Sequence, residues 1–316
     1  MASADAEGEP KGPGAGVKTI LIATDFSETA EAAVARGCAL AKHRGARVVL
    51  THAMGLAPYA VGGPPPVAAI PQDLEQAVRE AAERRLDLIA EQCEKDGVAA
   101  QTEVDTGEPA RCIIDLAERS GADLIVIGTR GLSGLKHLVL GSTAEAVVRG
   151  AACPVLTVHQ DDHGKLDPPA TLLVAGDFSS ESAHAAHVGA DLFASAPGQP
   201  KVKALLLHVH HWPMLVEPLL GDIEMVPVDF DEIVEPLTED LAPAAERLRE
   251  EGFEVECRVR EGDPSAVIIE LAQREGVDAI VMGTHGHSGL KHLLLGSTAQ
   301  RVVQHAPCAV LTVRKE

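Results

Sequence analysis

Gly128-Thr129-Arg130-Gly131, nine further residues, then Gly141-Ser142-Thr143 is a phrase this chain uses twice. It returns as Gly283-Thr284-His285-Gly286, nine residues, then Gly296-Ser297-Thr298. Each copy follows a short apolar run, Leu124 to Ile127 and Ala279 to Met282, and leads into a helix-like segment. A glycine-rich turn between a buried strand and a helix start lets several backbone N–H groups converge on a phosphate. Two copies at identical spacing predict a duplicated α/β protein that binds nucleotide.

The duplication extends well beyond the glycines. Val104 to Val158 aligns with Val259 to Val313 without a gap, at about three in five identical positions. The openings match too, Thr19 to Ser27 against Thr171 to Ser179. Apolar runs alternate with helical patterns in each copy. Strands are expected near 18–24, 46–53, 99–104, 123–128 and 154–159, with helices near 27–43, 73–96, 109–120 and 142–150. The second copy repeats this, with strands near 171–176, 203–210, 254–259, 278–283 and 309–314 and helices near 180–194, 231–251, 264–275 and 297–305. Continuous Val/Ile/Leu strands suit a parallel sheet covered on both faces. The alternation predicts an open, doubly wound α/β sheet in each half. The period of about 150 residues marks whole-domain duplication rather than a solenoid. The expected organisation is a disordered lead over 1–16, a first domain over 17–159, a linker over 160–169 and a second domain over 170–316. Two proline-bearing stretches, Gly55 to Pro71 and His211 to Asp229, follow the second strands as surface loops or flaps.

Composition narrows the function classes. The net charge of −20 and the 2% aromatic content argue against a nucleic-acid partner, which needs clustered Lys and Arg and stacking platforms. The longest apolar runs are strand-sized, so no membrane insertion is expected, and the lead lacks the apolar centre of a secretion signal. A cytoplasmic location is expected. The six cysteines lie far apart, with no C-x-x-C pair, and read as small hydrophobes in a reducing compartment.

Candidate site residues cluster at strand ends. Asp25 and Asp177 close the first strands, where a carboxylate can accept from an adenine amino group or a ribose hydroxyl, or serve as a turn and capping residue beside Ser27 and Ser179. Gly131, Gly141, Gly286 and Gly296 bracket the nine-residue segments, where glycine permits positive φ and close approach of a ligand. Ser142, Thr143, Ser297 and Thr298 open the fourth helices, whose exposed amides and dipole favour an anion. Lys136-His137 and Lys291-His292, inside the nine-residue segments, are candidates to neutralise phosphate or to be solvated loop residues. His208, His210 and His211 invite a zinc reading, but only His208 has a counterpart, His52. No G-x-x-x-x-G-K-[ST], G-x-G-x-x-G after the first strand, or G-x-S-x-G elbow is present, which sets aside P-loop, dinucleotide-binding and α/β-hydrolase chemistry.

These residues resemble the universal stress protein family, in its tandem form and with the glycine motif of its ATP-binding branch. The match runs from Val17 to Arg314 and includes the Asp-x-Ser turns at Asp25 and Asp177 and the strand-ending His52 and His208. The resemblance implies an adenine nucleotide alpha hydrolase-like fold with strand order 3-2-1-4-5 in each domain. It implies ATP as ligand, with Mg2+ or Mn2+ bridging the phosphates and no metal site made of protein side chains. In the first domain, Ala23, Thr24, Asp25 and Ala53 would hold adenine and ribose, and Gly128, Gly131, Gly141, Ser142 and Thr143 the phosphates. The second-domain equivalents are Ala175, Gly176, Asp177, Val209, Gly283, Gly286, Gly296, Ser297 and Thr298. Fifth strands, Val155 to Val158 and Val310 to Val313, would pair antiparallel as an intrachain pseudo-dimer, with a homodimer of whole chains left open. The implied role is a nucleotide-dependent stress-response module with no catalytic residue and at most slow ATP hydrolysis. The alternatives are a dimerisation scaffold without nucleotide, or a true ATPase or nucleotidyl transferase. Thr24 against Gly176, and Ala23 and Ala175 where the family often has proline, depart from its pattern and make the adenine end of the second site the less secure.

Overall fold

The computed structural model describes residues 16–55, 72–129, 140–160, 162, 171–195, 198–211, 230–285 and 295–314. Outside them fall Gly131, Gly286, Lys136, His137, Lys291, His292, the lead apart from Gly16, most of the linker, and the two proline-bearing stretches apart from Gly55 and His211.

Hydrophobic alternation builds the sheet. In β1 (Thr19–Ala23), Ile20 and Ile22 face one layer of helices while Leu21 and Ala23 face the other. The first half continues with α1 (Glu28–Arg44), β2 (Arg47–Met54), α2 (Gln72–Lys95), β3 (Ala100–Thr106), α3 (Pro109–Ser120), β4 (Leu124–Gly128), α4 (Ser142–Gly150) and β5 (Val155–Val158). The second half holds β6 (Thr171–Ala175), α5 (Ser180–Phe193), β7 (Lys203–His210), α6 (Phe230–Glu250), β8 (Glu254–Glu261), α7 (Pro264–Glu275), β9 (Ala279–Gly283), α8 (Ser297–His305) and β10 (Ala309–Val313). Helices α1, α2, α5 and α6 cover one face; α3, α4, α7 and α8 cover the other. This is the doubly wound α/β architecture expected from the alternation, and the observed elements sit within a residue or two of the expected ones.

All ten strands form one sheet in the order β3-β2-β1-β4-β5-β10-β9-β6-β7-β8. Each half therefore runs 3-2-1-4-5, and its strands pair in parallel. The halves meet at an antiparallel seam, with Val310 opposite Thr157, Leu311 opposite Leu156 and Thr312 opposite Val155. Two threonines lock it: Thr157 Oγ1 donates to Val310 O at 3.2 Å and Thr312 Oγ1 to Val155 O at 3.1 Å. A buried ion pair, Arg36 with Asp162 at 2.5 Å, ties the segment leaving β5 to α1.

Glycines in mid-helix mark where helix and sheet approach most closely. Gly37 in α1 and Gly189 in α5 hold the same place in the two copies. A Cβ on Gly189 would stand 2.8 Å from Val281 Cγ1 and 2.9 Å from Cγ2. Because Val281 is β-branched and its rotamer is stiff, it cannot swing aside. Gly189→Ala is therefore expected to lower stability by about 1 kcal/mol in urea unfolding. Overpacking, about 1–3 kcal/mol, outweighs the gain of about 1 kcal/mol in helix propensity. A more stable variant would show that the helix has room to lift off β9.

Candidate functional site

In a 3-2-1-4-5 sheet, the chain reverses its winding between strands 1 and 4, and open α/β sheets bind ligands at that point beyond the carboxyl ends of the strands. A cavity of about 250 Å³ lies there in the first half. It is lined by Ala23, Thr24, Asp25, Ala53, Gly128, Gly141, Ser142 and Thr143, so every expected first-half residue within the described region comes together in one place.

A tight turn sets the β1 side of the cavity. Asp25 Oδ1 accepts from Ser27 N at 3.1 Å and Ser27 Oγ at 2.6 Å, and Ser27 Oγ accepts from Ala30 N at 3.3 Å to cap α1. Asp25 thus shapes the turn as well as lining the cavity. Phe26 between them takes φ 63, a left-handed conformation that is costly for a side-chain-bearing residue. Its N–H donates to Thr24 Oγ1 at 3.0 Å, and its ring packs against His52 with centroids 4.7 Å apart. His52 Nδ1 lies 2.9 Å from Thr24 O; a carbonyl only accepts, so Nδ1 carries the proton.

The second copy repeats this turn almost atom for atom. Asp177 Oδ1 accepts from Ser179 N at 3.0 Å, Ser179 Oγ from Ser182 N at 3.1 Å, and Phe178 has φ 64. His208 Nδ1 donates to Gly176 O at 3.0 Å. Burial holds the His208 imidazole below its ordinary pKa, partly offset by that carbonyl. Gly176 lacks the hydroxyl with which Thr24 braces its turn, yet the turn forms. The substitution therefore removes a brace rather than the fold of the site.

Opposite the β1 turn, each half is built on one helix start. Thr129 N donates to Val158 O at 2.8 Å and Gly141 N to Thr129 O at 2.8 Å, which seats the start of α4 beside the end of β4. Thr284 N to Val313 O, 3.0 Å, and Gly296 N to Thr284 O, 2.9 Å, do the same for α8. Neither α4 nor α8 has a side chain capping its first turn. Helices α1, α3, α5 and α7 do, through Ser27, Glu108, Ser179 and Asp263. Side-chain-free N–H groups at a helix start, with the positive end of its dipole, suit an anion.

The two described glycines of the four expected to use positive φ do not use it. Gly141 has φ −61 and Gly296 φ −58, values open to any residue. Space is the reason at Gly296, where a Cβ would press on Thr284 O at 3.0 Å. At Gly128 a Cβ would meet the Thr29 backbone at 3.1 Å.

Sequence reasoning missed Ala30, Thr51, Pro109, Ile113, Ile127, Thr129 and Ala144, which complete the walls. Pro109 and Ile113 are four apart at the start of α3, a spacing that places both on one helix face, but nothing in the chain order ties that face to β1. Also missed was Glu181, which stands where the first half has Thr29. Its Oε1 accepts from Thr284 Oγ1 at 2.9 Å and from His285 N at 2.9 Å. The second half thus holds a carboxylate against the start of its glycine loop.

The histidines weighed for zinc are spoken for in part. His208 bonds Gly176 O, and His211 Nδ1 lies 3.2 Å from Gly262 O. Among the described residues no group of three His, Cys, Asp or Glu side chains could hold a metal ion. No described helix is long and apolar enough to cross a membrane.

The model of the universal stress protein family matches residues 16–159 and again residues 170–314. The chain belongs to the universal stress protein family. A universal stress protein of Mycolicibacterium smegmatis is 32% identical over 303 residues, covering 93% of this chain and 96% of that protein. One from Thermus aquaticus is 39% identical over 142 residues, 45% of this chain and 98% of its own length, as a single-domain relative would be. Among solved structures, a universal stress protein of Archaeoglobus fulgidus superimposes with a TM-score of 0.69, covering 94% of this chain and 98% of that one. Its identity of 22% speaks to the fold of the family and no further.

Proposed function

We propose that this universal stress family chain binds ATP, with Mg2+ or Mn2+ bridging the phosphates, and serves as a nucleotide-dependent stress-response module in the cytoplasm. Two domains, 17–159 and 170–316, joined by 160–169, each carry one site. The observation that carries this reading is the uncapped start of α4 opening onto the same cavity as the Asp25 carboxylate. One end of that cavity suits a sugar hydroxyl or base amino group, the other a polyphosphate, and Ala23, Ala53, Ile113 and Ile127 supply apolar walls for a base. The cavity falls slightly below the roughly 300 Å³ at which ligand clefts begin. It suits the adenosine moiety, with the phosphates running outward past Gly141 and Ser142. The nucleotide's own phosphates hold the metal. No catalytic residue is assigned, and the module responds to nucleotide by changing which surface it presents.

The two sites should differ in strength. Glu181 places a negative charge at the start of the second glycine loop, where the first half has Thr29. His285 replaces Arg130 in the same loop. Calorimetric titration with MgATP is expected to resolve a strong site and one at least about tenfold weaker, a difference of about 1.4 kcal/mol. Glu181→Thr should bring the second site towards the first. Saturating the strong site at about 100 times its Kd should stabilise the protein by about 2.7 kcal/mol. Absence of both heat and thermal stabilisation up to millimolar MgATP would end the nucleotide reading. Two equal sites in the unaltered chain would end only the argument about Glu181.

A further inference from the structure

We propose that Cys38 and Cys93 form an oxidisable dithiol that a peroxide closes to an intrachain disulfide. Cys38 lies in the third turn of α1 and Cys93 near the end of α2, and their sulfurs are 2.6 Å apart. That separation is well inside van der Waals contact and close to the roughly 2.05 Å of the covalent bond. Both residues belong to the apolar layer in which α1 and α2 cover the sheet, so packing already holds the two side chains together across 55 positions of sequence. Sequence spacing alone had made all six cysteines look like isolated small hydrophobes. Tertiary packing makes these two a pair.

The chemistry of the pair favours reaction. A hydrogen bond from Cys38 lowers the pKa of Cys93, and the same shared proton, with burial, raises that of Cys38. Burial instead raises Cys112, Cys257 and Cys308, which keeps them as unreactive thiols. Cys93 is 3% exposed, and Cys38, part-exposed, gives the oxidant its approach. The Cys93 thiolate attacks a peroxide oxygen, forming an S–O bond as the O–O bond breaks, and the departing oxygen leaves as alcohol or water after taking the Cys38 proton. Cys38, now a thiolate, attacks the Cys93 sulfur; the S–S bond forms and the hydroxyl leaves, picking up a proton from solvent to become water. The proton lost when Cys93 ionised balances that uptake. Two thiols and one peroxide thus give one disulfide, one alcohol or water, and one further water; the sulfurs lose two electrons and the peroxide gains them.

The test uses the full chain treated with hydrogen peroxide, then denatured and alkylated. Thiol titration should fall from six to four. Trypsin should release Gly37–Lys42 joined to Leu86–Lys95, with the other four cysteines alkylated. The oxidised chain should melt about 5 °C or more above the reduced one, because the bond constrains a long loop of the unfolded chain. Cys38→Ser should abolish both the joined peptide and the melting shift. Should Cys38→Ser fold poorly, Cys93→Ala is the equivalent control. Six alkylated cysteines after peroxide, a bond to any other cysteine, or cross-linking between chains would overturn the proposal.

Discussion

Ser142→Glu is expected to weaken MgATP binding at the first site about 100-fold while leaving the ligand-free protein as stable as before or slightly more so. The two effects have opposite signs because they use the same feature. Ser142 is the first residue of α4, exposed, and follows Gly141, which provides no side-chain cap. A carboxylate there complements the helix dipole and can accept from the first-turn amides, which contributes about 0.3–1 kcal/mol. It would also occupy the place proposed for phosphate and repel it. A 100-fold loss corresponds to about 2.7 kcal/mol, within reach of a lost charge-assisted contact plus like-charge repulsion. Calorimetry against thermal melting of the ligand-free chain separates the two. Unchanged affinity would show that the phosphates do not approach α4, and a large drop in ligand-free stability would show that Ser142 is needed for folding. Ser297→Glu should act in the same way on the second site alone.

Leu311→Ala should destabilise the whole protein by about 4 kcal/mol, towards the upper end of the range for a buried leucine. Leu311 is fully buried and stands opposite Leu156, also fully buried, across the β5–β10 seam. Helices α1 and α5 pack over these two strands. The site has little freedom to collapse, because the threonine hydrogen bonds on both sides hold the strands in register. Urea unfolding measures the loss. A double-mutant cycle with Leu156→Ala should return a coupling of about 0.5–3 kcal/mol. A loss below about 1 kcal/mol, with no coupling, would show that the two halves do not share a continuous sheet in solution.

Much of the site could be read from chain order because its key parts are local. Asp25 and Ser27 lie in one short turn and Asp177 and Ser179 in another, and Gly141-Ser142-Thr143 lies at one helix start. The Asp25 turn is set within two residues, where Asp25 Oδ1 reaches Ser27, and the helix start within twelve, where Gly141 N reaches Thr129 O. Other features did not show. Phe26 and Phe178 adopt positive φ although neither is glycine, since contacts with His52 and His208 hold the rings in place. Glu181 reads as an ordinary first-turn acid of a helix, suited to the dipole, and only its contact with Thr284 and His285 shows it facing the loop. At Gly141 and Gly296 the expected positive φ is not used. Backbone crowding, at Thr29 and Thr284, accounts for Gly128 and Gly296 where positive φ does not.

By itself, the order of residues determined the duplication, the alternation of strand and helix, and the two glycine phrases. The alternation follows from the geometry of a single strand or helix, and the duplication and the phrases are repeats visible in residue order itself. Tertiary structure decided how α3 closes the cavity wall, which charge faces each loop, and that Cys38 meets Cys93. Those depend on distances between segments far apart in sequence, which are settled only when the apolar faces of both helix layers are packed against one sheet.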